Sequence, residues 1–165
     1  MKVVNDSTPL IHLAKAGGLG LLQKLYGSIY ITKAVYREAV EEGELLGEAD
    51  APVIKKGVGK WINIGEVTGS ERIARKYGLH LGEATSIALA LEQGAGLLLM
   101  NEREGRDAAK KESLKIKGTI GVIQEAVKKG VISAEEGTGI LRKFKGAPQE
   151  YWIDPAVIDA AIKKI

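Results

Sequence analysis

The run "LLLM" at residues 97 to 100 constrains the fold most. Four consecutive apolar side chains read as a buried strand, which opens at once into the polar turn "NEREGR". A strand that is apolar at successive positions needs cover on both faces, the condition of a parallel sheet held between helices. The rest of the chain supplies such helices. Val3-Val4 reads as a short strand, and Pro9 opens a helix through "LIHLAKAG". "GLGLLQKLYG" reads as a helix, "SIYI" as a strand, and "TKAVYREAVEEG" as a helix capped by Thr32 and ended by Gly43.

Further along, "GELLGEADAPVIKKGVGK" contains a helix, and "WINIGEV" alternates like a peripheral strand. "GSERIARKYG" and "LHLGEATSIALALEQG" are helical, "EGRDAAKKE" is a helix after the buried strand, and "LKIKG" is a short strand. "TIGVIQEAVKKG" is a helix ending at Gly130. Ser133 and Glu136 have the spacing of a capping box, and Asp154-Pro155 opens a last helix. Four or five strands alternating with helices predict an α/β chain, a three-layer α/β/α fold around a central, mainly parallel sheet. No repeat or linker divides it, so residues 1–165 read as a single domain that includes the C-terminal helices at 133–165.

Composition narrows the chemistry. The chain has no cysteine, which removes disulfides, thiolate metal sites and cysteine nucleophiles together. Its two histidines, His12 and His80, lie far apart in sequence, so a metal site has to rely mainly on oxygen ligands, as Mg²⁺ and Mn²⁺ prefer. A net charge of +3 is compatible with a polyanionic partner. Apolar runs stay below the roughly 18 residues of a membrane span, and the first residues lack a secretory apolar segment. The expected location is the cytoplasm.

In a parallel α/β fold, ligands collect beyond the carboxyl ends of the strands, so acidic residues at those edges are the candidates. Asp6 follows the first strand directly, and taken alone it reads first as a turn or N-cap residue before Pro9. On a helix turning about 100° per residue, Glu83 falls outside the arc of Thr85, Ser86, Glu92 and Gln93 and beside Ile87, Ala90 and Leu91. A carboxylate on an apolar face wants a metal or an arginine as partner; a first-turn acid that favours the helix dipole is the other reading. Glu38 borders the stripe of Val35, Tyr36, Ala39 and Val40, with a solvated helix face as its alternative.

Together "VVNDSTPLIHLAKAG", "VYREAVEEG", "LGEATSIALALEQGAGLLLMNEREGRDAAK" and "KGTIGVIQEAVKKGVIS" resemble, in that order, the PIN-domain superfamily, and most closely its small prokaryotic members related to the toxin ribonucleases of toxin-antitoxin pairs. The resemblance is strongest over residues 2–135. It implies a nuclease in which acidic residues at the sheet edge hold one or two Mg²⁺ or Mn²⁺ ions that cut RNA with activated water. Carried over, Asp6, Glu38 and Glu83 match the first three acidic positions, and Asn101 stands where an aspartate is usual. Crowded carboxylates repel one another until a cation neutralises them, which is the physical basis of such a site.

Asn101 can still offer a carbonyl oxygen to a hard cation, but it brings no charge. One unit charge pair about 4 Å apart, at an effective dielectric near 20, is worth on the order of 4 kcal/mol before desolvation. The expectation is therefore a ribonuclease with a weakened metal site, with Glu102 or Glu104 as stand-ins unless they are solvated first-turn residues. Ser7, Thr8, Thr119 and Arg106 are candidate phosphate-positioning groups; capping is the first reading of Ser7, Thr8 and Thr119, and a surface ion pair is the other reading of Arg106. Lys110, Lys111, Lys115 and Lys117 either line a phosphate track or form a solvated face.

The main alternative is a catalytically degenerate PIN-like scaffold that binds RNA or a protein without cutting. A receiver-like signalling domain fits less well, since only Asp6 stands at the first strand edge. The resemblance also implies a homodimer and a small antitoxin partner.

Overall fold

A computed structural model describes residues 1–165. The sheet comprises β1 (Val3–Asn5), β2 (Ile29–Thr32), β3 (Ile62–Gly65), β4 (Leu97–Leu99) and β5 (Ile116–Lys117), in the order β3-β2-β1-β4-β5 with every pair parallel. Around it lie α1 (Ser7–Lys15), α2 (Gly20–Tyr26), α3 (Lys33–Tyr36), α4 (Gly43–Leu45), α5 (Asp50–Gly57) and α6 (Ser70–Tyr77). Then come α7 (Leu81–Glu92), α8 (Arg103–Lys111), α9 (Thr119–Lys128), α10 (Ala134–Gly146), α11 (Pro148–Tyr151) and α12 (Pro155–Lys163). The three-layer parallel fold is as the sequence predicts, and "WINIGEV" supplies an edge strand.

The apolar β4 run divides between two cores. Leu97 and Leu99 join Val3, Ile29 and Ile31 on the face covered by α1, α9, α10 and α12, where Leu13, Val122, Phe144 and Ile158 are buried. Leu98 and Met100 join Val4 on the opposite face, under Ile73, Ile87 and Ala108 from α6, α7 and α8. Successive side chains of a strand point to opposite faces, so consecutive apolar residues are what a doubly covered strand requires.

Chain reversals place the site. Sequence order runs outward from β1 through β2 to β3, then returns to β4 on the other side of β1, which makes the carboxyl edge between β1 and β4 a topological switch point. The Asp6 N–H donates to the Leu99 carbonyl at 2.9 Å, so the chain after β1 stays alongside the end of β4. Because α7 leads back to β4, its first turn stands at this same edge. Thr32 caps the helix after β2, its hydroxyl accepting the Val35 N–H at 3.1 Å. Ser133 and Asp154 cap α10 and α12, accepting the N–H groups of Glu136 and Ala156 at 3.0 and 2.8 Å.

Gly43 does not end the helix that Thr32 begins. The segment Arg37–Glu42 winds as a π-helix, and Gly43 keeps right-handed helical torsions and leads into α4. Its lack of a side chain serves packing: a Cβ there would come within 2.9 Å of the Ala51 Cβ. The π-turn carries Glu38, and π-turns recur where a helix must re-aim a functional side chain.

Trp152, which links α11 to α12, adopts φ 52° and ψ 37°. An L-residue in this left-handed region costs about 1–2 kcal/mol, and a bulky aromatic there is an outlier.

Candidate functional site

Four segments converge on the β1–β4 edge: the start of α1, the π-turn after α3, the first turn of α7 and the loop from β4 into α8. Asp6, Ser7 and Glu83 are buried, and Glu38 is half-buried. Asp6 caps α1 by position, but its side chain looks elsewhere, accepting the Ser86 hydroxyl at 3.1 Å. The Ser7 hydroxyl donates to Glu38 Oε2 at 2.8 Å, joining the first strand edge to the π-turn. Glu83 Oε1 pairs with the His80 imidazole, while Glu83 Oε2 is buried without any hydrogen-bond partner.

Two glycines make room for these acids. A Cβ on Gly82 would collide with Glu38 Oε1, and one on Gly105 would lie 2.8 Å from Glu83 Oε2. Glu38 and Glu83 therefore occupy space that side chains at 82 and 105 would fill.

The electrostatics are those of a crowded acidic centre. Burial raises the Asp6 carboxyl to about 7; hydrogen bonds from the Ser7 backbone and Ser86 oppose the rise, and Glu38 and Glu83 add to it. Burial also raises Glu83, against the pull of His80 and together with the repulsion of Glu102, Glu104 and Glu38. The three carboxylates are thus electrostatic neighbours, but no three acidic or histidine side chains close round a common point tightly enough to hold an ion. As donors they fit a hard divalent cation: they are carboxylate oxygens, one is orphaned, and their mutual repulsion is offset only in part by His80, Ser7 and Ser86.

Asn101 is turned to a different task. Its Oδ1 accepts the Thr119 backbone N–H at 2.8 Å, and its Nδ2 donates to the Thr119 hydroxyl at 2.8 Å and meets His12 Nδ1 at 3.3 Å. The carbonyl oxygen considered as a cation ligand is thereby engaged in starting α9. His12 packs between helices with its ring 5.2 Å from that of Tyr151, and burial lowers it to about 4, so it is neutral near pH 7.

The other candidates are distributed unevenly. Thr8 donates to the exposed Glu102 at 3.2 Å, and Glu104 is exposed. Arg106 makes neither an ion pair nor a carboxylate contact; its Nη1 donates to the Met100 carbonyl at 3.0 Å. Lys117 is paired with Glu125, and Lys110, Lys111 and Lys115 are exposed. Thr85 and Ser86, two members of the polar arc of α7, are buried against Thr32 and Asp6, while Glu92 at the far end of that arc is exposed.

His80 is the site residue that sequence reasoning passes over. It caps α7, with Nδ1 accepting the Glu83 N–H at 3.5 Å while its ring meets the Glu83 carboxylate. A polar residue three before a glutamate at a helix start is the signal that could have found it.

An open cleft of about 960 Å³ runs from Thr8, Asn101 and Glu102 past Arg106 to Trp152; Asp6, Glu38 and Glu83 do not line it. No helix is long and apolar enough to cross a membrane. A family model described as a PIN domain matches residues 2–165. No curated protein and no solved structure matches the chain.

Proposed function

Because the chain belongs to the PIN-domain family, we propose that it is a Mg²⁺- or Mn²⁺-dependent ribonuclease whose metal ligands are Asp6, Glu38 and Glu83. The observation that carries this reading is Glu83 Oε2, a buried carboxylate oxygen with no partner beside other acids. Leaving such a group unpaired is costly, and a cation removes the cost. When bound, a divalent ion polarises a phosphodiester and lowers the pKa of its water.

The protein's own groups prepare the ligands. Ser7 fixes one oxygen of Glu38, Ser86 fixes one of Asp6, and His80 holds one of Glu83 so that the second stays free. Asp6, held near 7, has to give up its proton for the cluster to take an ion. Glu102 and Glu104 add negative charge nearby and are the stand-ins for the missing acid at Asn101. With that acid replaced, a second ion is held weakly. The activity is toxin-like and cytoplasmic, exerted by a homodimer with a small antitoxin as partner.

A degenerate scaffold that binds RNA or a protein without cutting is the second reading, and the engagement of Asn101 by Thr119 favours it. Calorimetric titration with Mn²⁺ separates the two. A ribonuclease takes up an ion whose binding heat disappears in Glu83→Gln; a scaffold gives no saturable heat in either protein.

A further inference from the structure

The cleft that runs from Thr8 and Glu102 to Trp152 contains a feature that folding alone does not favour. Trp152 is 84% exposed and sits at positive φ, where glycine or asparagine would be easier. It is held there from both sides. Tyr151 is buried with its ring 4.7 Å from Phe144 and 5.2 Å from His12, and Asp154 caps the helix that follows. The fold thus keeps an indole at the cleft rim, at the expense of both solvent exposure and backbone conformation.

We infer that this cleft is a binding pocket for an unpaired nucleobase of the RNA strand, with Trp152 as its stacking surface; this rests on the ribonuclease reading above. The volume of about 960 Å³ lies within the range of small-molecule sites and accommodates a nucleotide. Its mixed charged lining favours a base over a phosphate track: Arg106 and Lys117 share the walls with Glu102, Glu150 and Asp154, and Lys117 is already paired with Glu125. A neutral, flat, polar-edged group suits such walls, and aromatic side chains stack on any base. The cleft reaches Glu102 and Thr8, which touch each other, so a base seated there places its backbone toward the Asp6 edge.

The test measures binding in EDTA, where metal-dependent cleavage is absent, using fluorescence anisotropy of an unstructured RNA oligomer and of an abasic strand of equal length. Wild type binds the base-bearing strand about tenfold more tightly than the abasic one, the scale of one stacked base. Trp152→Gly abolishes that preference while its Tm stays equal or rises, because glycine relieves the positive φ; Trp152→Phe keeps most of it. Equal binding of the two strands by wild type overturns the inference, as does an undiminished preference in Trp152→Gly. A Trp152-dependent affinity for a basic peptide with none for RNA also overturns it and assigns the cleft to a protein partner. Absence of Mn²⁺-dependent cleavage counts against the ribonuclease reading alone, because base binding is scored without metal.

Discussion

Asn101 brackets Thr119: its Oδ1 accepts the Thr119 backbone N–H and its Nδ2 donates to the Thr119 hydroxyl, both at 2.8 Å. Asn101, read from the resemblance as the counterpart of a fourth acid, is thus the staple between the end of β4 and the start of α9. An aspartate could accept the same N–H, but only an amide can also donate to an unturned hydroxyl and to His12.

Asn101→Ala leaves the buried start of α9 without its acceptor and should cost about 1–3 kcal/mol in denaturant unfolding. Asn101→Asp keeps the acceptor and should unfold within about 1 kcal/mol of wild type. Its added charge should tighten Mn²⁺ on the order of tenfold. Calorimetry reads the second effect, and unchanged affinity would place residue 101 outside the ion's surroundings.

Glu83→Gln should raise the stability of the metal-free protein while removing its response to metal. Burial, the largest influence, and neighbouring acids make the charged form unfavourable against the pull of His80 on Oε1, and Oε2 has no partner to lose. A gain of about 1 kcal/mol, or some 2–4 °C in Tm, is expected in EDTA. Excess Mn²⁺ should raise the Tm of wild type and leave that of the variant unmoved.

Asp6 sets a pH dependence best seen by difference. Its folded pKa of about 7 lies above the ordinary 3.8, so between these values the folded state holds a proton that the unfolded chain releases, and stability falls as pH rises. His12, lowered to about 4 from 6.5, works in the opposite direction between those two values. Comparison with Asp6→Asn cancels the His12 contribution. The stability of wild type relative to the variant should fall by on the order of 4 kcal/mol from pH 4 to pH 8 in EDTA.

Glu125 provides a control remote from the acids. Burial would raise it, but hydrogen bonds from Lys117, Lys129 and Tyr26 outweigh burial and bring it to about 2, tying β5 and α2 to α9. A depressed carboxylate stabilises above its unfolded pKa and loses that contribution as pH falls through the folded value. Glu125→Gln should therefore unfold more easily at pH 7 yet bind Mn²⁺ as wild type does.

The layered fold was legible because periodicity reports local structure directly. Leu97 to Met100 read as a buried strand and form one covered on both faces, and the caps at Thr32, Ser133 and Asp154 depend on neighbours within three residues. What escaped were arrangements that depend on distant partners. Glu38 sits on the margin of its stripe, and nothing local indicates that Ser7, 31 residues away, holds it. Gly43 looked like a stop signal because its contact, Ala51, belongs to the next helix. His80 appeared isolated when measured against His12, although its working partner Glu83 is three residues on. Trp152 carries no local pattern, and only its torsions and exposure single it out.

The central claim, metal-dependent RNA hydrolysis at Asp6, Glu38 and Glu83, is tested most directly by incubating an unstructured RNA with excess Mn²⁺ and wild type or Asp6→Asn prepared in parallel. Cleavage by wild type that stops in EDTA and falls at least about 100-fold in Asp6→Asn is the predicted result. No cleavage by either wild type or Asn101→Asp, or cleavage that Asp6→Asn leaves unchanged, would contradict it.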